Sequence, residues 1–176
     1  PRKDLIAKVT GAAFIHDIVR PDMLHARMLR QPSRNAQLVS LDETAIRRAA
    51  HGDFRTIRVG NFVAFVGGDE TVVQRAAVAA FSHAKWEGTR VLTPAHGEAA
   101  WYVDQPSDDR LIGDAIVPNT GEIVSAVYSR PFVAHAAMAP SCGLAEFRDG
   151  HMEVWSHTQG VYPLRNSIAE ILGLSV

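Results

Sequence analysis

The stretch from 154 to 165, VWSHTQGVYPLR, carries side chains that could do chemistry. Four polar residues stand in a row there, before a glycine and an apolar run with a proline: Ser156, His157, Thr158 and Gln159. Hydroxyl, imidazole and amide groups donate and accept hydrogen bonds. The row falls where a predicted strand passes into a predicted helix, and open α/β folds often bind ligands at such junctions. The stretch is therefore a candidate binding or catalytic segment.

The spacing of the other reactive residues does not assemble an active site. A hydrolase could pair Ser141 or Cys142 with a histidine, but the letters APSCG (139–143) lack the G-x-S-x-G nucleophile elbow. None of the eight histidines is spaced as HxH or HxxxH, which would place two metal ligands on one face of a strand or helix. The glycine loops that bind phosphates or dinucleotides are also missing.

Composition narrows the class of protein. Of the 176 residues 47% are hydrophobic and the formal net charge is −1 at pH 7, so a packed soluble core is expected. Without a basic run, neither nucleic acid nor an anionic membrane is expected as a main partner. The single Cys142 excludes an internal disulfide and a thiolate metal cluster from this chain alone. No apolar stretch approaches the roughly 20 residues of a membrane span. The start PRKDLIAKVTG lacks an initiator Met and a signal core, as expected of a trimmed terminus.

The first 88 residues predict a compact α+β unit that would form the scaffold. Strands are predicted at 14–19 and 23–29, joined by a turn with a proline, and a helix follows with Asp42 as N-cap. Two further strands flank the hairpin dipeptide Gly60-Asn61. A longer helix over 70–86 begins after the cap Asp69 and is predicted to bury a stripe of seven residues: Val72, Val73, Ala76, Ala77, Ala80, Phe81 and Ala84. Burial of the phenylalanine predicts a loss of roughly 3–5 kcal/mol on Phe81→Ala.

The two helix starts are alike in sequence. LDETAIRRAA (41–50) and GDETVVQRAA (68–77) share an Asp-Glu-Thr beginning and an Arg-Ala-Ala ending. The likeness is explained either by an ancient duplication or by the same capping chemistry at two junctions, and the second explanation is favoured.

The second half has a different pattern. Residues 89–121 are rich in Gly, Pro and Asp and predict a linker or surface-wrapping segment. Strands are predicted at 122–130 and 142–148, and Asp149-Gly150 predicts a hairpin into 151–158. The last predicted helix has Pro163 in its first turn, Gly173 as C-terminal cap and four residues in its buried stripe: Leu164, Ile168, Ile171 and Leu172. No closing elements follow, so this half is predicted to open a larger domain.

Several segments, taken in order, resemble the molybdenum-binding large subunit of the xanthine dehydrogenase/aldehyde oxidase family. The resemblance to its α/β-hammerhead domain is carried by KVTGAAFIHDI, PDMLHARMLRQPS, AQLVSLDETA and GNFVAFVGGDETVVQRAAVAA. The run SRPFVAHAAMAPSCGLAEFRDGHMEVWSHTQGVYPLRNSIAEILGL resembles the start of the following cofactor-binding domain. The branch with nicotinate dehydrogenase and isoquinoline oxidoreductase large subunits is the most similar. The resemblance implies an α+β chain with a hammerhead domain at 1–88, a linker at 89–121 and an incomplete molybdopterin-binding domain at 122–176.

The resemblance implies an N-terminal fragment of a molybdenum hydroxylase. Such enzymes insert a water-derived oxygen into an N-heterocycle or an aldehyde, with molybdenum held by a molybdopterin of the dinucleotide form. Electrons leave through an iron–sulfur small subunit or a neighbouring domain. The family's catalytic glutamate comes late in the subunit, so this chain is expected to hold no catalytic residue, to bind no cofactor alone and to be inactive, with self-association through its uncovered strands. A non-catalytic docking domain that contacts a partner subunit is the alternative.

The same resemblance points to individual residues. Many relatives read H-x-x-M-E-P where this chain reads HAAMAP (135–140), so Ala139 replaces a glutamate. Xanthine-oxidising relatives carry a metal-proximal glutamine where this chain has Val133, which cannot donate a hydrogen bond. His135 and Gln159 are the polar residues expected nearest the cofactor. It is equally open that both only satisfy backbone groups at strand ends. Substrate, pterin dinucleotide type and compartment are not determined.

Overall fold

The computed structural model describes residues 3–108, 110, 112–113, 121–122, 124–137 and 139–176. The helices in this part of the chain are α1 Leu5–Val9, α2 Glu43–Ala50, α3 Glu70–His83, α4 Ala99–Val103 and α5 Val161–Leu172. The strands are β1 His25–Leu29, β2 Gln37–Leu41, β3 Arg55–Val59, β4 Phe62–Gly67, β5 Ala84–Glu87, β6 Gly143–Arg148 and β7 His151–Ser156. Short 3₁₀ turns lie at Ile15–Asp17 and Pro94–Gly97.

The chain divides into two compact units. One unit is Leu24–His135, and the other combines the residues up to Met23 with Ala136–Val176. The mixture of helices and small antiparallel sheets agrees with the predicted α+β class. The division into 1–88, 89–121 and 122–176 stays a prediction. Of the predicted linker, residues 109, 111 and 114–120 lie outside the described residues.

The Leu24–His135 unit is built around an antiparallel sheet with strand order β1-β4-β3. Val59 pairs with Phe62 across the Gly60-Asn61 turn, and Gly60 has a φ of 58°, so the predicted hairpin is confirmed. Alternate side chains of a strand point to the same face. Val63 and Phe65 of the central strand are fully buried on one face of this sheet.

Helix α3 packs on the sheet as predicted, but its buried stripe is narrower than the sequence pattern indicates. The Asp69 carboxylate accepts hydrogen bonds from the Thr71 and Val72 amides at 2.7 and 3.3 Å, which confirms the cap. Five residues of the stripe are buried: Val72, Val73, Ala76, Ala77 and Ala80. Small alanines let the helix approach the strands closely.

The prediction that Phe81 is buried is wrong, since this side chain is 64% exposed. At about 100° per residue, Phe81 is rotated about 80° away from the fully buried Val73 and lies on a flank of the stripe. The opposite flank is covered by α2, because Val72 comes so close to Gly52 that a β-carbon there would lie 2.5 Å from a Val72 methyl. The helix also ends at His83 instead of 86, and Ala84 begins β5, which pairs with β2.

Both predicted aspartate caps are present, because α2 begins in the same way as α3. Asp42 accepts a hydrogen bond from the Ala45 amide at 3.0 Å, and Ile46 and Ala50 of α2 are buried in the common core. The helix ends at His51, which adopts the left-handed conformation with a φ of 54°. The likeness of the two helix starts therefore corresponds to shared capping chemistry.

Two predicted strands are wrong. In 14–19 the chain forms a 3₁₀ turn closed by a hydrogen bond from the Phe14 amide to the Asp17 carboxylate at 2.7 Å. Strand β1 therefore pairs with β4 and not with 14–19. In 122–130 the described residues form no strand, and residue 123 lies outside them. A strand requires a neighbour that supplies backbone hydrogen bonds, and none of the described strands pairs with this segment.

The second unit contains the hairpin β6–β7 and the helix α5. Arg148 pairs with His151 across Asp149 and Gly150, which have φ values of 52° and 81°, so this predicted hairpin is confirmed. Gly173 ends α5 in the left-handed conformation, as predicted. The helix begins at Val161, two residues before the proline.

The predicted buried stripe of α5 is only partly present. Leu164 and Ile168 are half-buried, but Ile171 is 81% exposed and Leu172 is exposed as well. Among the described helices, none is long and apolar enough to cross a membrane.

Candidate cofactor site

The hairpin β6–β7 has two different faces. The register pairs Leu144 with Trp155 and Ala145 with Val154, so these two pairs lie on opposite faces. Arg20 stands over the Trp155 ring at 5.3 Å and lies 3.9 Å from the Glu146 carboxylate, on the face of Leu144 and Trp155. The N-terminal residues therefore support one face of the hairpin, and the other is left for a site.

That second face borders a cavity of about 650 Å³ between β7, α5 and the last residues of the chain. Met152 and Val154 line it from the strand, and Leu164 and Ile168 line it from the helix. Polar groups reach it at Ser156, Thr158 and Arg165. The cavity is apolar in its middle and polar towards the start of α5, the arrangement common in sites for organic ligands.

The polar row that joins β7 to α5 forms a hydrogen-bonded turn. The Thr158 hydroxyl accepts from the Gly160 amide at 3.0 Å and donates to the Gly160 carbonyl at 3.3 Å. The Ser156 hydroxyl donates to the His157 carbonyl at 3.3 Å. Thr158 and Ser156 thus satisfy the local backbone, a common role of hydroxyls at a turn.

The Gln159 side chain takes no part in this turn. It is exposed, and no hydrogen-bond partner is found for it among the residues that the structure describes. In this region Thr158 makes the backbone contacts that one interpretation gave to Gln159. The Gln159 amide therefore has both its donors and its acceptor available for a ligand.

Arg165 is a candidate that the sequence reasoning missed. It lies one turn into α5, lines the cavity, and has no carboxylate partner in the described part of the chain. Its position four residues after Val161, another lining residue, was a signal in the sequence, because residues four apart share one helix face.

Val133 and His135 belong to the other compact unit, at its C-terminal end. Both are exposed and lie in extended backbone outside the strands. No hydrogen bond of the His135 imidazole is found within the described residues. Ala136, which follows it, has a φ of 50°, an uncommon conformation for alanine. The structure thus places the three predicted site residues in two units, with Gln159 alone beside the cavity.

The described residues do not form a metal centre or a nucleophile with its base. No group of three His, Cys, Asp or Glu side chains among them could hold a metal ion. Cys142 is half-buried. The nearby imidazole nitrogen Nε2 of His16 lies 2.8 Å from the Pro140 carbonyl oxygen, so this ring is engaged with the backbone.

The available groups fit an organic cofactor better than a bare metal ion. An amide such as Gln159 matches the alternating donors and acceptors of a pterin ring, and a guanidinium such as Arg165 matches a phosphate. Both side chains are without protein partners in the described residues, and the cavity beside Arg165 can take a fused ring against its apolar wall. The residues present therefore fit a molybdopterin, whose metal is carried by the pterin's own sulfur atoms.

Comparison with known proteins agrees with this chemistry. Residues 107–176 match the family model of the molybdopterin cofactor-binding domain. The chain is also 30% identical over 187 aligned residues to a subunit of the nicotinate dehydrogenase of Pseudomonas putida. That alignment covers 98% of this chain and 16% of the relative, so the chain spans about a sixth of the relative's length. No solved structure matches it significantly.

These similarities support a molybdopterin-binding oxidoreductase of the xanthine dehydrogenase family. The matched region contains the hairpin, the polar turn and α5, so the candidate site lies within the matched cofactor-binding domain. The relative is one subunit of a multi-subunit dehydrogenase, which suggests that partner subunits exist here as well.

Proposed function

We propose that this chain is the N-terminal part of the large subunit of a molybdenum hydroxylase. In this proposal residues 1–88 form an α/β-hammerhead domain, 89–121 connect it, and 122–176 begin the molybdopterin-binding domain. The observation that carries the proposal is the coincidence of the family match over 107–176 with a cavity whose polar end has an unpaired guanidinium. The name of the relative supports the branch that acts on N-heterocycles.

The residues of this chain would hold and orient the cofactor. Gln159 would donate and accept hydrogen bonds at an edge of the pterin, and Arg165 would pair with a phosphate of the dinucleotide form. Thr158 keeps the turn in shape by its hydrogen bonds to Gly160. The apolar wall from Met152 to Ile168 would exclude water from one side of the ring.

The bound group would supply the molybdenum that delivers a water-derived oxygen to an N-heterocycle or an aldehyde. His135 would stand near it as a donor or acceptor, and Val133 would present an apolar contact where xanthine-oxidising relatives have a glutamine. Electrons would pass to an iron–sulfur small subunit or domain. We propose no catalytic residue within this chain, and we propose that the 176 residues alone hold no stoichiometric molybdenum and are inactive.

Molybdenum content of the complete subunit tests the proposal. The native subunit, co-expressed with its partner, should hold close to one molybdenum per chain by elemental analysis. Gln159→Leu or Arg165→Met should lower this content or the cofactor affinity by about tenfold, the effect expected when a residue that supports a metal group is lost. Glu170→Gln is the matched control, because Glu170 is an exposed charge on α5 and does not line the cavity.

A different result would favour the alternative function. A complete subunit without molybdenum or pterin that still forms a stable complex with a partner would indicate a docking or assembly domain. Molybdenum content that is equal in all four proteins would show that Gln159 and Arg165 do not hold the cofactor.

A further inference from the structure

Four aromatic rings form a continuous chain outside the core of the Leu24–His135 unit. The ring centroids of His96 and Trp101 are 4.4 Å apart, those of Trp101 and Tyr102 are 4.8 Å apart, and those of Tyr102 and Phe132 are 5.4 Å apart. Successive rings are inclined by 47°, 85° and 73°. Among the described residues between 88 and 135, none belongs to the buried core, so this cluster is not part of it.

Hydrogen bonds hold the rings in place. The Tyr102 hydroxyl donates to the His96 carbonyl at 2.8 Å, and the Gln105 amide donates to the Trp101 carbonyl at 2.9 Å. The Thr93 amide donates to Nδ1 of the His96 ring at 2.9 Å. The positions of the rings are therefore set without a ligand, and a ligand that stacks on them would lose little free energy to ordering them.

The outer end of the cluster is open to solvent. Phe132 is 78% exposed and Tyr102 is 44% exposed, although each is in contact with a neighbouring ring. A cluster that only closed this segment would cover its outermost ring. We name the surface formed by Tyr102 and Phe132 the aromatic platform. It offers a ring face and a ring edge nearly at right angles, an arrangement that receives a third planar ring well.

We propose that the aromatic platform is a binding subsite for planar heteroaromatic rings and that it makes the complete enzyme prefer N-heterocycles to aliphatic aldehydes. This specificity role rests on the proposed function, but binding of the ring does not. Phe132 directly precedes Val133 and lies three residues before His135, so a ring on the platform is held close along the chain to these candidate cofactor residues. An aliphatic aldehyde has no π face and gains nothing from ring stacking.

Binding of isoquinoline to the 176-residue chain tests the subsite without any cofactor. In an NMR titration, isoquinoline should shift the indole N–H signal of Trp101, and pentanal at equal concentration should not. Phe132→Leu should weaken isoquinoline binding by about fivefold, the effect of losing one aromatic contact. Phe81→Leu is the matched control, because Phe81 is an exposed phenylalanine on α3 outside the platform, and it should leave binding unchanged.

Three results would overturn the inference: equal affinity of the wild type and Phe132→Leu, equal losses in Phe132→Leu and Phe81→Leu, or equal shifts with pentanal. A subunit that lacks molybdenum but binds isoquinoline through the platform would refute the proposed function and leave the subsite intact. A loaded subunit whose kcat/KM for isoquinoline is unchanged by Phe132→Leu would refute the specificity role and leave the function intact. Support for that role is a fall in this value of about fivefold with no change for pentanal.

Discussion

The strongest prediction of the structure contrasts two phenylalanines, Phe65 and Phe81. Phe65 is fully buried in the central strand β4 and meets the Phe54 ring edge-to-face at 5.5 Å. Truncation of such a ring removes its transfer free energy, leaves a cavity and loses the aromatic contact. Phe65→Ala should therefore lower the free energy of unfolding by about 3–5 kcal/mol.

Phe81→Ala should have almost no effect, because about two thirds of the Phe81 side chain already contacts water. Full burial of a phenylalanine is worth about 1.5–3 kcal/mol, so the third that is covered here contributes about 0.5–1 kcal/mol. Alanine is the better helix former by about 0.5 kcal/mol, which offsets much of this loss. The net change in the free energy of unfolding should lie within about 0.5 kcal/mol of zero.

Urea unfolding followed by far-UV circular dichroism measures both changes on the same chain. The two variants should have the same dependence on urea and differ by about 3 kcal/mol or more in stability. Should Phe65→Ala fail to fold, Phe65→Leu is the milder substitute and should give an intermediate loss. A loss above about 2 kcal/mol for Phe81→Ala, or below about 1 kcal/mol for Phe65→Ala, would show that the facing of α3 on the sheet is wrong.

Three further predictions test single features. Asp69→Ala should cost about 1 kcal/mol in thermal melting, because two amides at the start of α3 lose their acceptor, and Asp69→Asn should cost much less since its oxygen can still accept. Gly173→Ala should cost about 1 kcal/mol, because the φ of 65° is unfavourable for a β-carbon, and faster hydrogen exchange in the last turn of α5 would be the evidence. The isolated chain should self-associate through the uncovered apolar residues of 124–158, with a scattering mass that rises with concentration. A strict monomer that binds no apolar dye would contradict that expectation.

Features that depend on a few adjacent residues could be predicted from the sequence. The caps Asp42 and Asp69 bond to amides two or three positions ahead, so a short pattern is enough to find them. Gly60-Asn61 and Asp149-Gly150 tolerate positive φ and direct hairpins for the same local reason. Within the candidate site, the polar row at 156–159 and the helix after it were recognised in this way.

Features that depend on a distant neighbour were decided by the tertiary structure. The segment 23–29 reads as a strand in any context, but its partner β4 lies some 40 residues further along the chain. The four residues after α3 become β5 only because β2 offers an edge to pair with. The sequence pattern could not tell which flank of α3 is covered by α2, so Val72 is buried and Phe81 is exposed.

The same reason limits what the sequence could say about the site. Its pattern marked Gln159 as polar and available, and the structure adds Arg165 and the cavity because a strand and a helix meet there. The ring of Phe132 meets Tyr102 across 30 residues, which no local pattern indicates. Hydrogen bonds between adjacent residues form wherever their sequence occurs, but a side chain is buried or left free according to which distant element the chain brings beside it.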